Sequence, residues 1–194
     1  MTWSNMEEQW NYQKGDTLKV QVMSNCSQTE LLLNGRSLGK KRLPAADKAP
    51  ELVWNVPFEA GTLKTIGYDS HGQQLCEDIL KTAGEPARIE VDIDSTSIRS
   101  NGMDLSYLNY RIVDKDGNIC PTPVKLTFVV SGAGTNAGVS NADMLSNEAW
   151  QANSRTTYQG RAQLIVRSKA QIGKLKVVAK AKGLKSSVTV IDVR

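Results

Sequence analysis

Short runs of alternating apolar and polar residues recur along this chain. Between Ile89 and Asp94 the alternation is strict, with Ile89, Val91 and Ile93 separated by acidic residues. A period of two is typical of a β-strand that buries one face. No stretch of roughly 10 to 12 residues shows the spacing of an amphipathic helix. The pattern therefore predicts an all-β fold.

Turn residues divide the first half of the chain into β-rich runs. Asn34-Gly35 lies between two of these runs, and this dipeptide tolerates the positive φ angles of a tight hairpin turn. A second hairpin is predicted at Ser70-His71-Gly72, so that His71, the sole histidine, falls at a turn tip and is assigned no function. The predicted strands span residues 17–24, 30–33, 37–43, 51–56, 63–69 and 74–82.

A domain boundary is predicted where Gly84 and Pro86 precede the alternating run at 89–94. It divides the chain into a first domain, residues 1–85, and a second domain, residues 86–194. An immunoglobulin-type (Ig-like) sandwich has about seven strands and roughly 100 residues, which suits each half. We therefore expect two tandem Ig-like β-sandwich domains. The further strands predicted in the second half are at 105–113, 124–131, 160–168, 174–181 and 187–193.

The net charge of +4 raises the question of a nucleic-acid partner. Binding to a phosphate backbone requires Lys and Arg gathered on one track. In the run 174–182 the lysines instead alternate with Leu175, Val177 and Ala179, as in a strand with one solvated face. We expect no nucleic-acid partner.

No run approaches the roughly 18 apolar residues of a membrane span, so we expect no membrane insertion.

Three cysteines, Cys26, Cys76 and Cys120, lack the close pairing of a zinc site. Cys26 and Cys76 lie in the same half of the chain, at a separation compatible with a bridge between two sheets. Free cysteine is also a common core residue, and free thiols are the favoured interpretation. The redox state of this pair stays open at the level of sequence.

Two runs resemble cofactor-binding or metal-binding motifs, but each lacks residues that the motif requires. Ser131-Gly132-Ala133-Gly134 lacks the third glycine of a dinucleotide fingerprint and is not followed by a helix, so we interpret it as a turn between strands. The run from Asp114 to Asn118 resembles the opening of a calcium loop, but Ile119 and Lys125 occupy the positions that require Gly and Glu. We predict no cofactor and no metal site.

Aromatic side chains offer the remaining candidate chemistry, because their faces stack on sugar rings. Trp10, Tyr12 and Trp150 lie in loop-like or terminal stretches and are the candidate carbohydrate-contacting residues. The alternative for Trp10 and Trp150 is packing within the domains. Trp54 shares parity with Leu52 and Val56 and is predicted to lie in the core.

The first half carries ordered motifs of a known family. The run NCSQTELLLNGRSLG at 25–39 resembles a signature of glycoside hydrolase family 2, in particular of β-galactosidase-type members. The resemblance continues through LVWNVPF at 52–58, GTLK at 61–64, GYD at 67–69 and TAGEPA at 82–87. It covers the whole first half and implies an accessory β-sandwich domain.

The second half resembles the C-terminal Ig-like domain that follows in those enzymes. The motifs are DKDGN at 114–118, GVSN at 138–141, NSR at 153–155 and GRA at 160–162. Where the family often has a Gly-Asn-Gly-Asp loop, this chain has Ser140-Asn141-Ala142-Asp143. A role that depended on both glycines is therefore not carried over.

The resemblance implies that catalysis occurs outside these residues. The family's catalytic glutamates lie in an upstream (β/α)8 barrel, and Glu148, although it follows an Asn as the family's acid/base does, has no strand-helix alternation around it to build one. We predict no catalytic residue here. The expected partner is the catalytic barrel of the same parent chain, with glycan as a further ligand, and the expected location is periplasmic or extracellular.

Two other functions suit the same fold. The second half also looks like the Ig modules of bacterial invasins, which makes a surface adhesin or a structural spacer the alternative. A stand-alone carbohydrate-binding module is the third possibility.

Overall fold

The computed structural model describes residues 7–43 and 51–194. The chain forms two compact units, Met1–Thr82 and Ala83–Arg194. Within the described ranges every regular element is a β-strand, and the strands form separate sheets in each unit. The predicted fold class, all-β with tandem β-sandwiches, is confirmed. The predicted boundary lies shortly after the start of the second unit, because Ala83 already packs in that unit's core.

The first unit pairs a sheet of two strands with a sheet of four. Strands β1 and β4 form the smaller sheet, and the larger has the order β3-β2-β5-β6, with all pairs antiparallel. Its strands are β1 (Thr17–Met23), β2 (Gln28–Leu33), β3 (Arg36–Arg42), β4 (Glu51–Pro57), β5 (Thr62–Tyr68) and β6 (Gln74–Lys81).

The alternating pattern of β2 and β4 places apolar side chains in the core of this unit. Every second residue of each strand is buried, as expected where one face of a strand meets the opposite sheet. Trp54 is buried on β4, as its parity predicted. The buried apolar residues of this core are Trp10, Leu31, Leu33, Leu52, Trp54, Val56 and Leu63.

The smaller sheet leaves part of the larger one uncovered. Strand β6 is exposed along almost its whole length, including the apolar Leu75 and Ile79. Between β1 and the β5–β6 pair lies a groove of about 370 Å³, lined by Val20, Val22 and Leu63 among others. Gly67 and Cys76 also line this groove.

The β2–β3 hairpin has the turn that its sequence predicts. Asn34 and Gly35 connect the strands with φ angles of 51° and 80°, the combination of a type I′ turn. The Asn34 side chain donates to the carbonyl of Ala60 and accepts from the N–H of Thr62. The turn is therefore also fastened to the start of β5.

The second unit contains nine strands in two sheets. One sheet has the order β12-β10-β14-β15-β8 and the other β11-β13-β9-β7, and the β15–β8 pair is parallel. The strands are β7 (Arg88–Ile93), β8 (Ser97–Ile98), β9 (Leu105–Val113), β10 (Lys125–Gly132), β11 (Gly134–Ser140), β12 (Ser154–Thr156), β13 (Arg161–Ser168), β14 (Gly173–Lys180) and β15 (Ser187–Val193).

Sequence reasoning missed three of these strands. β8 and β12 are too short to show a period, with two and three residues. β11 consists largely of small residues, and its register shifts between Asn136 and Gly138, which breaks the alternation. The glycine-rich run before it is the turn that we predicted, since β10 ends at Gly132 and β11 begins at Gly134.

The outer face of the five-stranded sheet carries both valines and lysines. Val129, Val178 and Val188 lie in one row across β10, β14 and β15. In β14, Lys174, Lys176 and Lys180 are exposed while Leu175, Val177 and Ala179 are buried, which confirms the predicted solvated lysine face. Val190 pairs with Lys176 in the next row, so apolar and basic side chains alternate on this surface.

Candidate functional site

Trp10 and Tyr12, two of the predicted carbohydrate contacts, lie together in the first unit. Their ring centroids are 6.0 Å apart, and both rings pack against Phe58. Trp10 exposes only 2% of its surface, and its indole N–H donates to the carbonyl of Glu59 at 3.0 Å. Trp10 therefore offers no ring face to a sugar, and packing within the domain, the stated alternative, describes its position.

Tyr12 is partly exposed beside Trp10. Its hydroxyl lies 3.4 Å from a carboxylate oxygen of Glu7. Partial burial, together with the charge of Glu7 and the hydrogen bond to it, raises the pKa of Tyr12. A neutral phenol at the surface is compatible with a polar ligand, but Trp10, which packs beside Tyr12, is buried.

Trp150, the third predicted contact, lies in the second unit and is exposed over 63% of its surface. It belongs to the segment 141–153, which connects β11, an edge strand of one sheet, to β12, an edge strand of the other. The Trp150 carbonyl accepts from the N–H of Val139 at 2.7 Å, so the backbone is anchored while the ring projects outward. Met144 and Leu145, in the same segment, are almost fully exposed.

A buried arginine organises this segment. Arg155 on β12 has no exposed surface, and its guanidinium lies over the Trp150 ring, with 5.2 Å between Cζ and the ring centroid. One terminal nitrogen donates to the Glu148 carbonyl and the other to Oδ1 of Asn141, each at 2.8 Å. The indole is thus supported by a cation held in a fixed position.

Asn141 links the start of this segment to its end. Its Oδ1 accepts from Arg155 and from the N–H of Asp143, and its Nδ2 donates to the carbonyl of Thr156. Sequence reasoning placed Asn141 and Arg155 among the family motifs but assigned neither a role. The sequence offers one sign of such a role, which is an Arg between the two small polar residues Ser154 and Thr156.

The carboxylate of Glu148 is engaged in the same segment. It accepts from the N–H of Thr156 at 2.9 Å and from the Thr156 hydroxyl at 2.8 Å. The Thr156 N–H lowers the pKa of Glu148, burial opposes this, and the Thr156 hydroxyl and the charge of Arg155 lower it further. An ionised carboxylate held by its own loop is suited to fastening that loop and not to donating a proton.

The turn after β9 contains a buried carboxylate, that of Asp114. Asp114 accepts from the backbone N–H groups of Gly84, Asp116 and Asn118 and from the Asn118 side chain, at 2.8 to 3.0 Å. Burial would raise the pKa of Asp114, but these donors outweigh it and lower the pKa to about 2. The carboxylate thus closes a turn.

Over residues 7–43 and 51–194 no group of three His, Cys, Asp or Glu side chains could hold a metal.

Comparisons with known proteins agree with the resemblance in the motifs. Residues 89–190 match the glycoside hydrolase family 2 C-terminal domain 5. The chain belongs to glycoside hydrolase family 2. Residues 15–76, in the first unit, match a domain of unknown function, DUF4982.

Curated relatives of this family 2 chain are much longer glycosidases. A β-galactosidase of Bacteroides ovatus, BoGH2A, is 32% identical over 185 residues, which are 94% of this chain and 21% of that protein. A β-glucuronidase of Formosa agariphila is 29% identical, over 93% of this chain and 18% of its own length. The chain therefore spans about a fifth of the length of these relatives.

Solved structures of glycosidases match almost the whole of this chain. A glycosyl hydrolase family 2 member from Bacteroides cellulosilyticus superposes with a TM-score of 0.90 at 38% identity, over 97% of this chain and 24% of that one. A β-glycosidase from Bacteroides vulgatus gives a TM-score of 0.86 at 24% identity, which shows the shared fold.

In the described parts of the chain no helix is long and apolar enough to cross a membrane.

Proposed function

We propose that this family 2 chain is the noncatalytic C-terminal accessory region of a β-galactosidase-like glycosidase that hydrolyses glycosidic bonds in glycans. The observation that carries the proposal is the coverage: almost the whole chain aligns with about a fifth of BoGH2A. The remaining four fifths of such a protein have room for the (β/α)8 barrel that the resemblance implies. The two units then stabilise or extend that barrel.

The carboxylates of the second unit support a noncatalytic role. A glycosidase of the common type uses two carboxyl groups on opposite sides of one sugar, roughly 5 to 9.5 Å apart. Glu148 is held by Thr156 and Arg155, and Asp114 is buried in a turn. Both carboxylates are therefore engaged in holding their own loop or turn.

Activity assays on the purified chain test this role. With 4-nitrophenyl β-galactoside and β-glucuronide as substrates, we expect no release of nitrophenol above a buffer blank. Glu148→Gln is the matched variant, because it keeps the shape of the one side chain that resembles an acid/base residue. Turnover that exceeds the blank and disappears in this variant would overturn the noncatalytic role.

The parent gene and the parent enzyme supply the second test. We expect the coding sequence ahead of these residues to encode a (β/α)8 barrel. Deleting the accessory region from the parent should lower its Tm while leaving the catalytic residues in place. A gene that encodes further tandem Ig modules in place of a barrel would instead favour the adhesin or spacer function.

A glycan contact at Trp150 is a second candidate function. The observation in its favour is the exposed indole, supported from one side by the guanidinium of Arg155. Tryptophan faces present a rigid apolar surface that suits the C–H face of a sugar ring, and pre-ordering of the ring reduces the entropy cost of binding.

Calorimetric titration with galactose-containing oligosaccharides tests this contact. We expect Trp150→Ala to weaken binding at least about tenfold, since one stacked ring contributes on the order of 1.4 kcal/mol or more. Tyr107→Ala, an exposed aromatic residue on β9, is the matched control and should bind as the unchanged chain does. Absence of binding by the unchanged chain, or equal binding by Trp150→Ala, would remove this candidate.

We also propose a periplasmic or extracellular location, which the family resemblance supports. Fractionation of the native cells with an antibody against this chain provides the test. The parent protein should be found in the periplasm or the medium. Recovery in the cytosol alone would contradict this location.

A further inference from the structure

Two cysteines face each other in the first unit, and one of them, Cys76, lines the groove. Cys26 lies in the connection from β1 to β2, and Cys76 lies on β6. Their Sγ atoms are 3.6 Å apart, although the residues are fifty positions apart in sequence. Both thiols are free in this structure.

Gly67, between the two cysteines, gives them the space to meet. It lies on β5 and pairs with Thr29 of β2 on one side and Cys76 of β6 on the other. A Cβ atom at this position would lie 2.5 Å from Sγ of Cys26 and 2.8 Å from Sγ of Cys76. Any other residue would force the sulfur atoms away, so the glycine and the two thiols form one arrangement.

The two thiols differ in access to solvent. Cys26 is buried, whereas Cys76 is exposed on an edge strand. An accessible thiol next to a shielded one is the arrangement in which the first reacts with an external disulfide and the second resolves the product. The third cysteine, Cys120, is buried in the core of the other unit.

We propose that Cys26 and Cys76 are a modification site at which a low-molecular-weight disulfide, such as oxidised glutathione, forms an intramolecular disulfide bond. The Cys76 thiolate attacks one sulfur of the oxidant, breaks its S–S bond and releases one small thiolate. The Cys26 thiolate then attacks Sγ of Cys76 and displaces the second small thiol. Two protein thiols lose two electrons and two protons, and the small disulfide becomes two thiols.

The bond links the β1–β2 connection to the edge strand β6. Residues of both elements, Ser24 and Cys76, line the groove, and β6 is exposed along most of its length. A cross-link between residues far apart in the sequence restricts the unfolded chain more than a link between residues close in the sequence. We therefore expect the oxidised protein to have a Tm roughly 10 °C above that of the reduced protein.

Mass spectrometry of the intact chain tests the proposal. The protein is incubated with oxidised glutathione, denatured and alkylated with iodoacetamide, and a model dithiol in the same buffer reports that the oxidant is active. We expect the oxidised chain to take up one alkyl group and the reduced chain three, with a peptide that joins Cys26 to Cys76. Cys120→Ser should still form the bond, whereas Cys76→Ser and Cys26→Ser should not.

Three outcomes would overturn the proposal. In the first, the chain takes up three alkyl groups although the model dithiol is oxidised. In the second, Cys76 carries a stable mixed disulfide while Cys26 remains alkylatable. In the third, Cys76 is joined to Cys120 or to another chain. A Tm that rises on oxidation of the unchanged chain but not of Cys76→Ser would add support.

Discussion

Nη2 of Arg155 donates a 2.8 Å hydrogen bond to Oδ1 of Asn141, and both residues are buried. A buried guanidinium keeps its positive charge. Each of its partners is therefore needed to offset the loss of hydration. The segment that carries Trp150 is ordered by this requirement.

Asn141→Ala should destabilise the second unit by about 2 to 4 kcal/mol, because it leaves one end of a buried guanidinium without a partner. Urea unfolding followed by intrinsic fluorescence measures the change. Gln163→Ala, which removes a hydrogen bond to Asn109 at a more exposed site, is the control and should cost about 0.5 kcal/mol or less. Equal effects of the two substitutions would contradict the role given to Asn141.

Asp114→Asn should reduce the stability of the second unit at neutral pH by about 2 kcal/mol. The folded-state pKa of Asp114, about 2, lies below the usual value for Asp. Its contribution is therefore fully present above pH about 4 and is lost as the pH falls from there toward about 2. Unfolding free energies measured from pH 7 to pH 2 should show the difference between the two proteins shrinking over that window.

Asp116→Asn is the control for this pH series, since that carboxylate lies in the same turn with its side chain largely exposed. Its curve should follow that of the unchanged chain at every pH. A difference between Asp114→Asn and the unchanged chain that stayed constant down to pH 2 would show that the charge of Asp114 is not responsible.

Gly35→Ala should destabilise the first unit by roughly 1 kcal/mol, because Gly35 has a φ of 80°, where a side chain is strained. No atom would contact the added Cβ, so backbone strain is the only expected cause. At Gly84 the φ is not positive and an added Cβ would meet its neighbours at ordinary distances of 3.7 Å or more. Thermal unfolding should therefore find Gly84→Ala close to neutral, and a loss as large as that of Gly35→Ala would refute the strain argument.

Leu164→Ala should destabilise the second unit by about 2 to 5 kcal/mol, since Leu164 is fully buried on β13 and the substitution leaves a cavity. Leu145→Ala, on the exposed segment before β12, should have almost no effect. Denaturant unfolding of the two variants compares them directly. Similar losses would mean that the segment 141–153 is packed more tightly than its exposure indicates.

Most strands long enough to show a period were predictable, and β11 is the exception because its register shift breaks the alternation. Alternation located β2, β4, β9 and β14, and Asn34-Gly35 located a hairpin, because these signals depend on residues close together in sequence. β12 was missed because three residues carry no period, although one of them is Arg155. Arg155 is important because it contacts Asn141, Glu148 and Trp150. These contacts cannot be inferred from the positions of the residues along the sequence.

The candidate site was predictable only in part. Trp10, Tyr12 and Trp150 were chosen by residue type, and type does not distinguish a buried indole from an exposed one. Residues 7–16 form no strand, yet Trp10 within them is packed in the core. Of these three residues, Trp150 alone combines an accessible ring with a fixed support.

The mixed face of the five-stranded sheet has a consequence for the protein in concentrated solution. Val129, Val178 and Val188 would favour stacking of two copies, whereas Lys176 and Lys180 bring ammonium groups together in such a stack. This repulsion acts over a Debye length of about 10 Å at 0.1 M salt and only about 3 Å at 1 M. Colloidal stability therefore depends on ionic strength, and added salt should drive the chains toward self-association where dilute buffer keeps them apart.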